Sequence, residues 1–376
     1  MSLRCYQPLI SRWARKQRVS RAKPYAVEKK AGASNKQNLN KLSDHNGANN
    51  ETLVSGMKTI VASVSTKATN NIVTGPIGTG SKEDNNGKAF SNHLMEVTDV
   101  DFQDKGKPEL VPEYVNEIYS HLWALEDKHL VGEHFLAGQA CNPWMRATLI
   151  DWLIQLQVGF CLLPETLYLT VGIMDRFLQV DRTIPCDQLQ LVAVTSMFIA
   201  SKYEETQAPH VDTYSYITDN AFTKADILKM EIRILSGIDC YVSFPLPLHF
   251  LRRNSKAGNM SPATHALAKY LLELCLTEYD MCHYKPSMLA ASALCLSMKL
   301  LGGQLWTDNL VFYSRYREGD LAQVMCKIAV LVKKSNGGKL QAARNKFSSE
   351  RYHCISQIPH LKSKFITNLA SRVYAV

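Results

Sequence analysis

The strongest constraint on the fold is an internal repeat of apolar helical sequence at a spacing of 97 residues. The run at residues 189–205 is apolar nearly all round, which predicts a helix buried on every side. The run at residues 286–299 matches it in one register, and a later helical run matches in the same register. The paired positions are Ala193 with Ala290, Ile199 with Leu296, Lys202 with Lys299, Ile227 with Val324, Leu228 with Met325, Ile234 with Leu331 and Leu235 with Val332. We therefore expect two copies of one helical unit.

Apolar residues spaced three or four apart predict the other helices of the first copy. Counting the buried helix, this copy has five helices, and the other four lie at residues 145–160, 164–180, 211–217 and 223–237. The last of these opens with Thr223 and Asp226 at the spacing of a capping box and closes on Gly237. The predicted fold class is all-α, with two tandem five-helix domains.

One more helix is predicted before the first copy. Order is expected to begin near Pro112, and five residues share one helical face: Val111, Val115, Ile118, Leu122 and Leu125. Residues 31–104 are rich in Asn, Ser, Gly, Thr and Lys, so they bury too little apolar surface to offset the entropy of ordering. The predicted domains are a disordered tail at 1–107, the extra helix and first copy at 108–243, and the second copy at 244–376.

The net charge of +9 is concentrated at the start of the chain. Residues 1–32 carry nine Lys and Arg against one acid, Glu28, so this segment alone has a charge of +8. It is interpreted as a solvated disordered arm, as a basic nuclear-import or acidic-surface patch, or as an organellar presequence. The rest of the chain is nearly neutral, which argues against a body that binds nucleic acid.

Several classes of function find no support in the sequence. No apolar run approaches the ~18 residues of a membrane helix. The ten cysteines form no C-x-x-C pair or zinc pattern, so they are predicted to be mostly buried or idle thiols in a reducing compartment. No catalytic motif is found, the glycine-rich run at 75–82 lacks a Lys directly after its last Gly, and Glu204 and Glu205 are interpreted as solvated charges. We expect no enzyme activity, no metal and no cofactor.

Four separated motifs carry a family resemblance. M-R-A-x-L-x-D-W-L begins at Met145, and L-x-x-E-T-L-Y-L-x-V-x-I-M-D-R-F-L follows from Leu162. SKYEE lies at residues 201–205 and PLPLHFLRR at 245–253. Together they resemble the mitotic cyclins of the B type. The resemblance implies two cyclin-box domains, the same architecture that the repeat predicts.

The resemblance also implies a function. A cyclin of this type is a regulatory subunit that binds and activates a cyclin-dependent serine/threonine kinase as a heterodimer, controlling the G2/M transition and mitosis in the nucleus and cytoplasm. The alternative is a cyclin-box adaptor acting in transcription, which would bind DNA or a polymerase. That alternative predicts a basic face on the folded body, whereas the positive charge lies in the tail. We expect no nucleic-acid or membrane partner.

By resemblance, the residues that bind the kinase surround Lys202. Lys202 and Glu231 would grip the regulatory helix of the kinase, and Ile199, Tyr203 and Leu235 would supply apolar contacts. Lys202 would equally serve as a cation that complements the dipole at the end of its helix. The helix before the first box adds Tyr114 and His121, whose other interpretation is a plain solvated face.

A substrate-docking patch is the second site that the resemblance implies. Its residues would be Met145, Leu149, Trp152 and Gln190, and the alternative is that they only pack the core. Gln155 stands where cyclins that dock Arg-x-Leu peptides place an acid, and a Gln forms no bidentate ion pair with Arg.

Mitotic cyclins usually carry an Arg-x-x-Leu destruction signal in the tail. No Arg before residue 130 is followed by Leu at the third position. Arg146 to Leu149 fits by letters, but it falls in a core helix and should be hidden. This chain is therefore expected to escape, or to obey poorly, the usual mitotic destruction.

Overall fold

The computed structural model describes residues 97–303 and 305–374 of the chain. Several sequence predictions concern residues outside this described part. They are those for the basic tail, the glycine-rich run at 75–82, the absence of a destruction signal in the tail and the disorder of residues 1–96. Within the described part all regular structure is helical, as predicted. No helix in this part is long and apolar enough to cross a membrane.

The first copy contains five helices and is preceded by one more. The preceding helix α1 spans Val115–Glu126, and the five are α2 Pro143–Gly159, α3 Pro164–Val180, α4 Leu189–Glu204, α5 Val211–Ile217 and α6 Lys224–Gly237. The capping box of Thr223 and Asp226 and the end of α6 at Gly237 are confirmed.

The second copy repeats this order. Its helices are α7 Pro247–Ala257, α8 Pro262–Thr277, α9 Pro286–Leu301, α10 Asp308–Ser314 and α11 Glu318–Ser335. The buried helices α4 and α9 begin and end 97 residues apart, and so do the short helices α5 and α10. The predicted repeat is therefore confirmed.

Each copy is built around its third helix. Every side chain of α4 from Leu191 to Ser201 is buried, and so is every side chain of α9 from Leu289 to Met298. Helix α4 packs against α3 and α6, while α9 packs against α7, α8 and α11. A helix without a polar face can be stable only when other helices cover it, which explains why both runs lack amphipathic spacing.

The start of α1 differs from the sequence prediction. The helix begins at Val115, because Val111 adopts a left-handed conformation with φ of 49° and the chain turns there. The predicted apolar face is only partly covered: Leu122 packs against the core, but Val111 and Ile118 are exposed.

Residues 97–104, which we call the strap, correct the predicted end of the disordered tail at residue 107. Val97 and Val100 pack against the core. Asp101 is buried and accepts hydrogen bonds of 2.6 Å from both terminal nitrogens of Arg253 in α7. Tyr313 in α10 donates to the Thr98 carbonyl at 3.1 Å. The strap is therefore held by the second copy.

The two copies share buried polar contacts. Arg146 in α2 is 1% exposed; it bonds both carboxylate oxygens of Asp175 at 2.7 and 2.6 Å and donates to the Leu276 carbonyl of the second copy at 3.0 Å. The Ser287 amide and hydroxyl donate to Glu126 at the end of α1, at 3.0 and 2.7 Å.

The chain after α11 returns to the first copy. Helix α12 spans Ala342–Lys346 and packs against α2, where the Ala342 amide donates to Asp151 at 2.8 Å. Helix α13 spans Lys364–Ser371 and packs against α11.

The cysteines in the described part differ in their exposure to solvent. Nine of them lie in the described part, and only Cys141, Cys275 and Cys295 are buried. Cys161, Cys186 and Cys240 are exposed, so burial accounts for only part of the prediction of mostly buried or idle thiols.

Candidate functional site

Lys202 lies at the exposed end of α4. The helix is buried from Leu191 to Ser201, and its last turn reaches the surface from Lys202 onward. The Lys202 ammonium forms an ion pair with the Glu231 carboxylate of α6 and lies 4.2 Å from the centre of the Phe198 ring. The Lys202 side chain is 44% exposed and that of Glu231 is 12% exposed. The structure therefore brings together the two residues that the family resemblance paired.

The predicted apolar neighbours divide between surface and core. Tyr203 is exposed and Leu235 is half-buried, so both can meet another molecule. Ile199 is only 4% exposed and packs in the core. Any role of Ile199 at this surface would be to support the end of α4 from inside.

Two exposed apolar residues of α6 were not predicted as part of the site. Leu228 is exposed and Ile232 is 68% exposed, and they flank Glu231 in the sequence. With Leu235 they follow the spacing of four and three residues that places side chains on one helical face. This spacing is readable from the sequence as a second apolar stripe, opposite the one formed by Ile227, Met230 and Ile234.

Glu204 and Glu205 correct a sequence interpretation, because neither is a freely solvated charge. Glu205 is half-buried and accepts a hydrogen bond from the Leu163 amide at 2.7 Å, beside the first turn of α3. Burial, and then the neighbouring Glu205, raises the pKa of Glu204. Glu205 of the SKYEE run thus ties the end of α4 to the start of α3.

Tyr114 and His121 form a separate surface. Tyr114 occupies the N-cap position of α1, His121 lies two turns later, and both side chains are exposed. The exposed Ile118 lies between them. No hydrogen bond, ion pair or ring contact in the described part joins these residues to Lys202 or Glu231.

The predicted docking patch has unequal members. Met145 and Leu149 are half-buried in α2 and Gln190 is half-buried in α4, so each shows part of its side chain. Trp152 is 8% exposed and belongs to the core.

Gln155 is not free for an arginine anchor either. Its amide donates to Asp151 at 3.2 Å, and the same carboxylate accepts from the Ala342 amide. The acid nearest to the patch on α2 is therefore already engaged in holding α12.

Two features of the described part concern the binding of a metal ion or a cofactor. No group of three or more His, Cys, Asp or Glu side chains there is placed to hold a metal ion. A cavity of about 110 Å³ lies between the two copies and is lined by Glu126, Arg146 and Asp175 among others. Those three charged groups already bond to Ser287, Asp175 and Arg146 respectively, so the cavity offers no unpaired charge from them to a ligand.

Comparison with known families agrees with this architecture. The family model described as "Cyclin, N-terminal domain" matches residues 117–243, and "Cyclin, C-terminal domain" matches residues 245–361. A solved structure of a viral cyclin from herpesvirus saimiri superposes with a TM-score of 0.50 at 18% identity, covering 58% of this chain and 97% of that one. At this identity the likeness shows a shared fold.

Curated relatives are much more similar in sequence. A G2/mitotic-specific cyclin-B of Patella vulgata is 54% identical over 281 residues, covering 75% of this chain and 69% of the relative. G2/mitotic-specific cyclin-B1 of Xenopus laevis is 47% identical, covering 75% and 72%, and cyclin-B2 of Homo sapiens is 46% identical, covering 77% and 73%. The chain belongs to the cyclin family, as a G2/mitotic cyclin of the B type built from two cyclin-box domains.

Proposed function

We propose that this chain binds and activates a cyclin-dependent serine/threonine kinase and so controls the G2/M transition and mitosis. The observation that carries the proposal is the Lys202–Glu231 ion pair at the surface end of a buried helix, in a chain of the B-type cyclin family. Cyclins act as regulatory subunits, so this chain would position groups of the kinase, and the kinase would transfer the phosphate.

The surroundings of the pair suit a protein partner. Helix α4 is packed on all sides, so the position of Lys202 is fixed before any partner arrives. Tyr203, Leu228 and Ile232 expose apolar surface beside the two charges. A partner that covers this apolar surface would exclude water from the two charges, so they would need polar groups of that partner to bond with.

A second contact with the kinase would come from α1. Tyr114, Ile118 and His121 lie on its exposed side, and Val111 is exposed just before it. An amphipathic helix that leaves apolar residues uncovered has surface to bury against a partner. In this proposal α1 and the end of α4 contact the same kinase.

We further propose that Met145, Leu149 and Gln190 dock substrates of the kinase, with Trp152 supporting them from the core. Because Asp151 and Gln155 are engaged with each other, the anchor of a docked peptide would be apolar. The working compartments would be the nucleus and cytoplasm, which microscopy of the tagged full chain with and without residues 1–32 tests.

The decisive experiment replaces Lys202 and Glu231 together with Ala. Truncating one side of a buried charge pair at an interface costs ~2–5 kcal/mol, which at ~1.4 kcal/mol per tenfold is at least a roughly thirtyfold loss of affinity. The kinase that co-purifies with the full chain from dividing cells would be recombined with each variant. We expect the double variant to keep its helical circular dichroism and to lose kinase binding and activation.

The second copy supplies a matched control. Lys299, which occupies the repeat position of Lys202, pairs with Glu318 at 2.6 Å, and both side chains are partly exposed. Replacing Lys299 and Glu318 with Ala removes an equivalent ion pair and should leave kinase activation intact. Full activation by the Lys202 and Glu231 variant would refute the site, and failure of any kinase to co-purify would refute the function.

A further inference from the structure

Two cysteine thiols meet where α2 and α4 begin. Cys141 directly precedes Asn142, the N-cap of α2, and Cys186 opens the 3-10 helix Cys186–Gln188 that runs into α4. The Cys186 thiol donates to the Ala140 carbonyl at 2.9 Å, and the Cys141 thiol donates to the Ile184 carbonyl at 3.8 Å. Each thiol thus contacts a backbone carbonyl within two residues of the other cysteine, which places the two side chains side by side where α2 and α4 begin.

The two thiols differ in their access to solvent. Cys186 is exposed, whereas Cys141 is 1% exposed. Burial, and then the neighbouring thiol of Cys186, raises the pKa of Cys141 to about 11, so Cys141 is protonated at neutral pH. An oxidant from solution therefore meets Cys186 first, and Cys141 lies behind it as a resolving thiol.

We propose that Cys141 and Cys186 are a peroxide-sensitive modification site that closes into a reversible disulfide. In the first step the Cys186 thiolate attacks hydrogen peroxide: an S–O bond forms, the O–O bond breaks, and the released hydroxide takes up the thiol proton as water. In the second step the Cys141 sulfur attacks the sulfenic sulfur of Cys186. The S–S bond forms, the S–O bond breaks, and the leaving hydroxide takes the Cys141 proton as a second water. Two thiols lose two electrons and one peroxide gains them.

The position of this disulfide gives it a structural effect. Met145 follows Cys141 by one helical turn, and Gln190 follows Cys186 by the same number of residues. The bond would link the residue before the N-cap of α2 to the 3-10 helix before α4, across the 44 residues between the two cysteines in the chain. Cross-links of this kind restrict the unfolded chain and stabilise the folded one.

A second pair of neighbouring thiols shows what the site requires. Burial, and to a smaller extent Glu278 and Cys282, raises the pKa of the buried Cys275, and burial raises the pKa of Cys282 to about 12. Cys275 is buried and Cys282 is half-buried, so neither offers an exposed thiol to start the reaction. The proposal therefore applies to Cys141 and Cys186 and not to this pair.

The test uses the full chain, reduced and then freed of reductant. After hydrogen peroxide and alkylation of the remaining thiols, tryptic digestion without reductant should yield peptide 129–146 linked to peptide 183–202. Dithiothreitol should separate the two peptides and restore both thiols. The oxidised chain should also melt at a higher temperature than the reduced chain.

Two variants keep the test specific. Cys186→Ser should abolish the linked peptide and the rise in melting temperature, whereas Cys240→Ser, which changes another exposed cysteine, should leave both unchanged. Recovery of alkylated Cys141 after peroxide treatment, or linkage of Cys186 to a different cysteine, would overturn the proposal.

Discussion

A docking role of Leu149 can be tested apart from core packing, because only part of its side chain is covered. In the same helix Trp152 is buried, so its loss would damage the fold whether or not it helps to bind substrates. Leu149 is therefore the residue that best distinguishes a docking surface from plain core packing.

We predict that Leu149→Ala spares kinase activation on a short peptide that holds only the phosphorylation site. On a protein substrate that must dock, kcat/KM should fall roughly tenfold, which corresponds to ~1.4 kcal/mol. Val158→Ala, an exposed position at the far end of α2, is the control and should change neither rate. Equal loss on both substrates would mean that Leu149 acts through the fold.

The repeat in the sequence locates Lys202 and Lys299, but it does not identify the acids with which they pair. Both lysines were located by the repeat, and both form an ion pair, but Glu231 comes from the middle of α6 and Glu318 from the first turn of α11. The partner of Lys202 was named only because of a family resemblance. Ile199, which the resemblance placed among the kinase contacts, lies in the core; a helix that is apolar all round gives no sign of which residue faces outward.

At the scale of elements, the strap is held by charge as well as by packing. Arg253 is buried, bonds Asp101 through two nitrogens, and lies 5.2 Å from the Tyr119 ring centre and 4.7 Å from that of Tyr313. Lys256 adds a contact of 2.7 Å to the same carboxylate. The strap thus connects α1, α7 and α10 around one buried guanidinium.

We predict that Asp101→Asn destabilises the chain by about 3 kcal/mol at pH 7, because it leaves the buried Arg253 without its counter-charge. Burial alone would raise the pKa of Asp101, but the hydrogen bonds from Arg253 and Lys256 outweigh it and the pKa is lowered. The stabilisation is therefore complete above the unfolded pKa of about 3.9 and is lost as the pH falls through the lower folded value.

Urea unfolding of both proteins measures this dependence. The difference between them should shrink as the pH falls below about 5. Glu109→Gln, at an exposed carboxylate close in sequence, should match the unaltered chain at every pH. A difference that stays constant down to low pH would contradict the ionic account.

The strap was missed for a physical reason. Residues 97–104 read V-T-D-V-D-F-Q-D, a short polar run with no periodicity, so local sequence favours disorder. What orders them is a pair of cations more than 150 residues away. Helices α4 and α9 were predictable because their apolar runs are continuous and repeated, whereas a contact between distant single charges leaves no local pattern.

At the scale of the whole molecule, the two boxes share an interior. Arg146 belongs to α2, but its guanidinium also bonds the Leu276 carbonyl at the end of α8. Glu126 and Asp151 each receive backbone hydrogen bonds from the second copy or from the segment that follows it. Unfolding of the second box would expose buried charges of α1 and the first box, and unfolding of the first box would leave the Leu276 carbonyl without its partner.

We predict that the two boxes unfold together, in one urea transition that has the same midpoint by tryptophan fluorescence and by circular dichroism. Arg146→Leu should lower the free energy of unfolding by ~3–5 kcal/mol, because Asp175 stays buried without a partner. The control is Arg233→Leu, which breaks the more exposed pair with Asp181 and should cost less than about 1 kcal/mol. Equal losses in the two variants, or two separate transitions, would contradict the shared interior.

During synthesis the strap must wait for its partner in the second box. Asp101 leaves the ribosome long before Arg253, which lies 152 residues later. At ~5–20 residues per second, the carboxylate waits roughly 8 to 30 s for its partner, while the first box can already form. The strap can therefore close only after the whole first box has been synthesised. A carboxylate that is translated before the first box is thus fixed in place only by the second box.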